Sequence, residues 1–247
     1  MLAANNNYII YGNERIEFSC VPRNRVSSRI MIKVHPDCRV VVHVPAQTPA
    51  DDVHDAVKKR ARWIYTQLKG FRGQLEHTTL RRYCSGESHY YLGKQYMLKV
   101  ITAPHDKQQV KLLQGRIEVQ IREQSEQRVK RLLYDWYKER ARAVFGRRLD
   151  AMLEQTLWIS ERPNIRLLAM RTQWGSCSPG GTLTLNPHLV KAPRECIDYV
   201  ILHELCHVAE HNHSDRFYRL MSRIMPNWES VKERLDGMAG KLLNGVD

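Results

Sequence analysis

Asp198-Tyr199-Val200-Ile201-Leu202-His203-Glu204-Leu205-Cys206-His207, with His213 following, is the stretch on which the reading of this chain turns. Two histidines four apart lie on one face of an α-helix, close enough to grip one metal ion. The apolar run into the motif marks a buried helix, so the imidazoles project from a packed element rather than from a loop. A buried His-Glu-His cluster costs free energy unless something binds it. Glu204 leaves the helix roughly 100° away from His203. It is therefore read as the general base, which takes a proton from the metal's water and later delivers it to a leaving group.

Catalytic zinc usually has three protein ligands and an open position for water. Three sources compete for the third ligand. His213 lies about 240° around a continuing helix from His207, so it joins the site only if the helix ends between them. Asn212, tolerant of the left-handed conformation that closes helices, supplies that break, and Ser214-Asp215 offers an N-cap for a following helix from Phe217 to about Met225. His211 shares the face of the two earlier histidines but lies farther along the axis. Glu229 or Glu233, on a later helix, would complete a two-histidine, one-glutamate set.

With 247 residues the chain can bury one large core or two smaller ones. Apolar residues at 43% and charged residues at 26% point to an ordinary globular protein. No run approaches the ~18 apolar residues of a membrane span. Met1 to Asn7 lacks a basic segment followed by an apolar one, so a cytoplasmic location is expected. Six cysteines without C-x-x-C pairing are read as buried small hydrophobes.

The formal charge of +13 is uneven. Residues 195–236 carry a local balance of −3, which leaves +16 elsewhere. The positive charge gathers in Lys58-Lys59-Arg60-Ala61-Arg62, Arg72, Arg81-Arg82 and from Arg128 through Arg148. Such a surface attracts nucleic acid, nucleotides or acidic proteins, or is simply solvated.

The N-terminal part reads as strands at Arg15 to Cys20, Ser28 to Val34 and Cys38 to Val44, separated by turn residues. A helix follows, with Thr48 as cap, Pro49 in the first helical position and an end near Lys69. In a second β-region, Tyr90-Tyr91-Leu92-Gly93-Lys94 leads to strands at Gln95 to Thr102, Gln109 to Leu113 and Gly115 to Ile121. The region is read as an antiparallel meander. From Ser125 the apolar period becomes helical, through Val129, Leu133, Trp136 and Val144 to about Gln155. Ile165 to Met170 and Thr182 to Leu185 are two further short strands, joined by a Trp174-Gly175-Ser176-Cys177 turn, and helices dominate from there on.

Arg171-Thr172-Gln173-Trp174-Gly175-Ser176-Cys177-Ser178, Leu185-Asn186, Leu189, Pro193, Ile197-Asp198-Tyr199-Val200, the His203 to His207 motif, Asn212-His213-Ser214 and Phe217 together resemble the YgjP-like metallopeptidase family, related to the SprT-like and WLM zincins. The resemblance implies that His203, His207 and His213 are zinc ligands and Glu204 the base. Tyr218 stands where that family usually has Trp. The resemblance also gives Trp174, Gly175, Ser176 and Cys177 a place beside the metal cleft, where an extended peptide could add as a strand. Asn186 and Asp198 become candidates for bonds that orient a ligand imidazole, and Arg216 or Tyr218 for oxyanion stabilisation.

The expected fold class is α+β, with a strand-rich region and one helix over 1–122 and a helical, zincin-like catalytic domain over 123–247. The expected function is a metallopeptidase that holds one Zn2+, or another divalent ion, and acts on a peptide or protein. The positive charge outside the motif favours an alternative, a phosphohydrolase cleaving nucleoside triphosphates. The absence of a G-x-x-x-x-G-K loop weighs against it. A third reading is a protease brought to nucleic acid by the basic half of the chain.

Overall fold

The computed structural model describes residues 7–12, 14–22, 30–35, 38–46, 48–75, 81–170 and 173–243. It is α+β, strand-rich in the N-terminal half and helical in the C-terminal half. The chain forms two compact units, residues 1–79 and 80–247. The boundary expected between 122 and 123 runs instead through the second unit, because the second sheet and the long helix after it share one core.

In the first unit, β1 (Asn7–Tyr11), β2 (Glu14–Pro22), β3 (Met31–Val34) and β4 (Val40–Val44) form a sheet of order β1-β2-β4-β3. The sequence reading missed β1. Residues 28 and 29, expected at the start of β3, lie outside the described residues. Alternation along the strands sends Ile9, Ile16, Phe18, Val40 and Val42 inward, against Val53, Val57, Ile64 and Leu68 of the helices. The single expected helix is two, α1 (Ala50–Lys59) and α2 (Ala61–Leu75), separated at Arg60. Pro49 occupies the cap position, while the Thr48 hydroxyl donates to the Pro45 carbonyl.

In the second unit, β5 (Ser88–Tyr91), β6 (Lys94–Thr102), β7 (Gln109–Leu113) and β8 (Arg116–Ile121) have the order β5-β6-β8-β7, with β6 and β8 parallel. The expected meander is thus replaced by a crossover that puts β8 inside the sheet, where Ile117, Val119 and Ile121 are buried. A two-residue turn, Leu92-Gly93, joins β5 to β6 with both residues at positive φ. Its N–H groups donate to the carbonyls of Val190 and Lys191 at 2.9 and 3.0 Å. A Cβ on Gly93 would sit 2.9 Å from Pro193 Cα, so glycine lets the hairpin tip abut the start of the motif helix.

Helix α3 (Glu126–Leu153) begins at Ser125, whose side chain accepts from the Arg128 N–H. Its buried stripe, from Val129 and Leu133 through Tyr137, Ala141 and Phe145 to Leu149, recurs every four residues and packs on the second sheet and on the motif helix. Each fully buried Leu, Ile or Phe contributes roughly 1.5–3 kcal/mol. The motif helix, α4 (Arg194–Ala209), is buried from Cys196 through Leu202 and again at Glu204 to Cys206. It lies among α3, α5 (Asp215–Ile224), α6 (Trp228–Leu243) and a three-stranded sheet of order β10-β11-β9. In that sheet β9 is Ile165–Leu167, β10 Gly175–Cys177 and β11 Leu183–Leu185. The stretch expected to turn at Gly175 to Cys177 is therefore the edge strand β10. No described helix is long and apolar enough to cross a membrane.

Candidate metal centre

His203 and His207 project from the same face of α4, as their spacing requires. The helix ends at Ala209 and the chain leaves it through an extended Glu210, at φ −136° and ψ 103°. Asn212, expected to make this break in a left-handed conformation, is not among the residues at positive φ. Ser214 then caps α5 by accepting from the Phe217 N–H at 3.3 Å, as its sequence context predicts. Its hydroxyl donates to Glu210 Oε2. The reversal carries His213 back onto the first two histidines.

The three imidazoles converge, with one candidate ligand nitrogen from each within 4.8 Å of the others. Nε2 of His203 and Nε2 of His213 are 3.1 Å apart. Nδ1 of His207 faces the Glu210 carbonyl at 3.1 Å, an arrangement that leaves Nε2 free to ligate. Phe217, 1% exposed, supports the cluster, its ring centroid 5.0, 4.8 and 4.7 Å from those of His203, His207 and His213. Burial, then the neighbouring His207 and His213, holds His203 down to about 3, so its ring is in the neutral form that binds metals. Three imidazole nitrogens with a shared focus, one of the rings with its second nitrogen oriented, suit a zinc-like divalent ion. Among the described residues the group contains neither His211, which lines the cleft beside it, nor Glu229 or Glu233.

Glu204, 5% exposed, lies on the side of α4 that faces β10. Burial pushes its carboxyl up to about 7, and the Cys177 backbone N–H, donating to it, pulls it back. Gly175 packs directly against it. A Cβ there would fall 2.7 Å from Glu204 Oε1 and 2.9 Å from Cγ. Gln173, Gly175, Ser176, Cys177 and Pro179 form one wall of a cleft whose other wall carries Glu204 and the histidines. The Cys177 thiol is raised by burial and then by Glu204.

Other residues singled out from sequence do different work. Asp198 accepts two bonds of 2.5 Å from the Arg148 guanidinium, linking α4 to α3. Asn186 is fully buried and bonds to backbone around β10 instead. Arg216 pairs with Glu210 at 3.1 Å, and Tyr218 stacks on Trp228 with its ring centroid 6.2 Å from that of His213; neither is among the described residues that line the cleft. Trp174 precedes β10 and gives its carbonyl to the Asn186 N–H. Only Cys196 and Cys206 are buried as expected of small hydrophobes, while Cys20 and Cys84 are exposed. Sequence reasoning missed the glycine contact on Glu204, the Phe217 support and the Glu210 carbonyl, none of which has a local signature.

Among curated proteins none matches the chain. Two crystal structures of metallopeptidase zymogens are similar to part of it. Abylysin of Pyrococcus abyssi is 20% identical, with a TM-score of 0.30, over 41% of this chain and 90% of that one. Jannalysin of Methanocaldococcus jannaschii is 25% identical, with a TM-score of 0.32, over 38% of this chain and 92% of that one. The family model described as YgjP-like, metallopeptidase domain matches residues 28–238. With most of its length matched, and a histidine triad and a buried glutamate gathered at one cleft, the chain belongs to the YgjP-like metallopeptidase family.

Proposed function

We propose that the protein is a zinc peptidase in which His203, His207 and His213 hold the ion and Glu204 is the general base. The observation that carries this reading is the convergence of three imidazole nitrogens within 4.8 Å beside a buried carboxyl. A divalent ion held there supplies Lewis acidity, polarising a carbonyl and acidifying water. Glu204, buried beside the triad, takes the proton of the attacking water and gives it to the departing amine. Gly175 leaves the carboxyl room, and the Cys177 N–H fixes its direction. The substrate backbone pairs along the open edge of β10, which has β11 on one side only among the described strands.

The cleft favours a peptide over a nucleoside triphosphate. No Lys or Arg is among its described lining residues, so those residues supply no phosphate clamp at the reacting centre. The test compares the parent with Glu204→Gln, after metal analysis, on unfolded proteins, peptides and nucleoside triphosphates. The variant is expected to keep its metal and lose peptide cleavage. Parent-level turnover by the variant would remove Glu204 as base, and turnover confined to triphosphates would overturn the peptidase reading.

A further inference from the structure

Strand β10 is only three residues long, and so short an edge strand makes few ladder bonds of its own. Asn186 supplies what the ladder lacks. Its side-chain Nδ2 donates to the Met170 carbonyl at 2.7 Å and to the Gln173 carbonyl at 3.2 Å, on either side of residues 171–172. Its backbone N–H donates to the Trp174 carbonyl at 2.9 Å, extending the β10–β11 pairing by one bond. Its Oδ1 accepts from the His188 N–H at 3.1 Å, capping the 3₁₀ turn Pro187–Lys191 that leads to α4. One fully buried amide thus ties the start of β10 to the segment that enters the motif helix. From β10, Gly175 abuts Glu204 and the Cys177 N–H donates to it.

We infer that Asn186 is a positioning residue for the reaction: it acts through β10 to hold the carboxylate of Glu204, without touching a metal ligand. The inference rests on the reading of Glu204 as base. Its chemistry separates two roles of the amide. Serine at 186 keeps an oxygen suited to capping but lacks the NH₂ group that spans two carbonyls. Asn186→Ser therefore preserves the entry to α4 and the backbone bond to Trp174, and frees the Met170 and Gln173 carbonyls of the segment that leads into β10. A displacement of about 1 Å at a catalytic group costs on the order of 100-fold in rate.

The experiment compares parent, Asn186→Ser, Glu204→Gln and the double variant by saturating peptide turnover, metal content, melting temperature and the visible spectrum of the cobalt-loaded proteins. Asn186→Ser is expected to keep full metal occupancy and the parent cobalt spectrum while turnover falls about ten- to hundred-fold. Added to Glu204→Gln, it should lower the residual rate no further, since its effect passes through that carboxylate. Parent turnover in Asn186→Ser, loss of metal, an altered cobalt spectrum, or a further fall in the double variant would each overturn the inference. Failure of the underlying reading looks different, because Glu204→Gln would itself turn over at the parent rate. If Asn186→Ser does not melt cooperatively, Asn186→Asp serves, with the same outcomes. It keeps size and cap oxygen but sets a carboxylate oxygen against the Met170 and Gln173 carbonyls.

Discussion

Replacing Gly175 by alanine tests the relation between β10 and α4 most directly. The added methyl would lie 2.7 Å from Glu204 Oε1, 2.9 Å from Cγ and 3.1 Å from Cδ. Carbon contacts are optimal near 3.5–4.0 Å, so the two groups must separate by roughly 0.5–1 Å. Gly175 is not at positive φ, and the penalty therefore comes from contact rather than from backbone conformation. Either Glu204 swings off the Cys177 N–H or β10 retreats from α4. The first displaces the proposed base and the second withdraws the N–H that fixes it, and a misplacement of that size costs on the order of 100-fold in turnover, or about 2.7 kcal/mol of barrier. Overpacking should lower unfolding stability by about 1–3 kcal/mol. Zinc content should stay at the parent level, because the three nearest atoms to the methyl all belong to Glu204. The assay is hydrolysis of a fluorescence-quenched peptide after metal analysis. Parent turnover in Gly175→Ala would refute the account of how this carboxylate is held.

Three further outcomes follow from the same geometry. His213→Ala should weaken zinc binding more than 100-fold, beyond the 10–100-fold that loss of a ligand's own support costs, and full occupancy at micromolar zinc would remove His213 from the ligand set. Asp198→Ala leaves the Arg148 guanidinium without its carboxylate between α3 and α4. With side chains 11% and 31% exposed, the expected loss is about 2 kcal/mol by urea denaturation, with metal content unchanged. Burial holds His89 down to about 3 and His188 to about 2, both below the ordinary 6.5. The unfolded chain then binds protons that the folded chain refuses, so stability falls as pH drops from about 6.5 toward 3, by ~1.4 kcal/mol per pH unit for each histidine. His188→Gln should make that fall shallower by one proton, and an unchanged slope would refute the assignment.

Much of the candidate site was legible in the sequence because its rules are local. The four-residue spacing of His203 and His207, the apolar content of Ile197 to Leu202 and the capping preference of Ser214 all act within a turn or two of helix. The reversal that delivers His213 was expected for the right consequence but at the wrong residue. Asn212 carries a propensity for the left-handed region, yet the chain turns in extended conformation at Glu210, where a ring nitrogen of His207 meets the backbone carbonyl. Strand order was less legible. The strands at 95–102, 109–113 and 115–121 were placed within a residue or so, but alternation within a strand does not encode which strand pairs with which.

By itself, then, the sequence determined the α+β class, the pair of histidines on one helix face and the carboxyl between them. Those properties follow from periodicities of two and 3.6 residues, which neighbours along the chain impose on one another. Only the tertiary structure decided that Gly175 lies against Glu204, that Phe217 underlies three imidazoles, that Asp198 belongs to Arg148 and that Asn186 fastens β10. Each of these joins residues from different elements, ten to fifty positions apart for all but the nearest Phe217 pairs. Their partners are chosen by the packing of helices and sheet around a common core, which no short window of sequence contains.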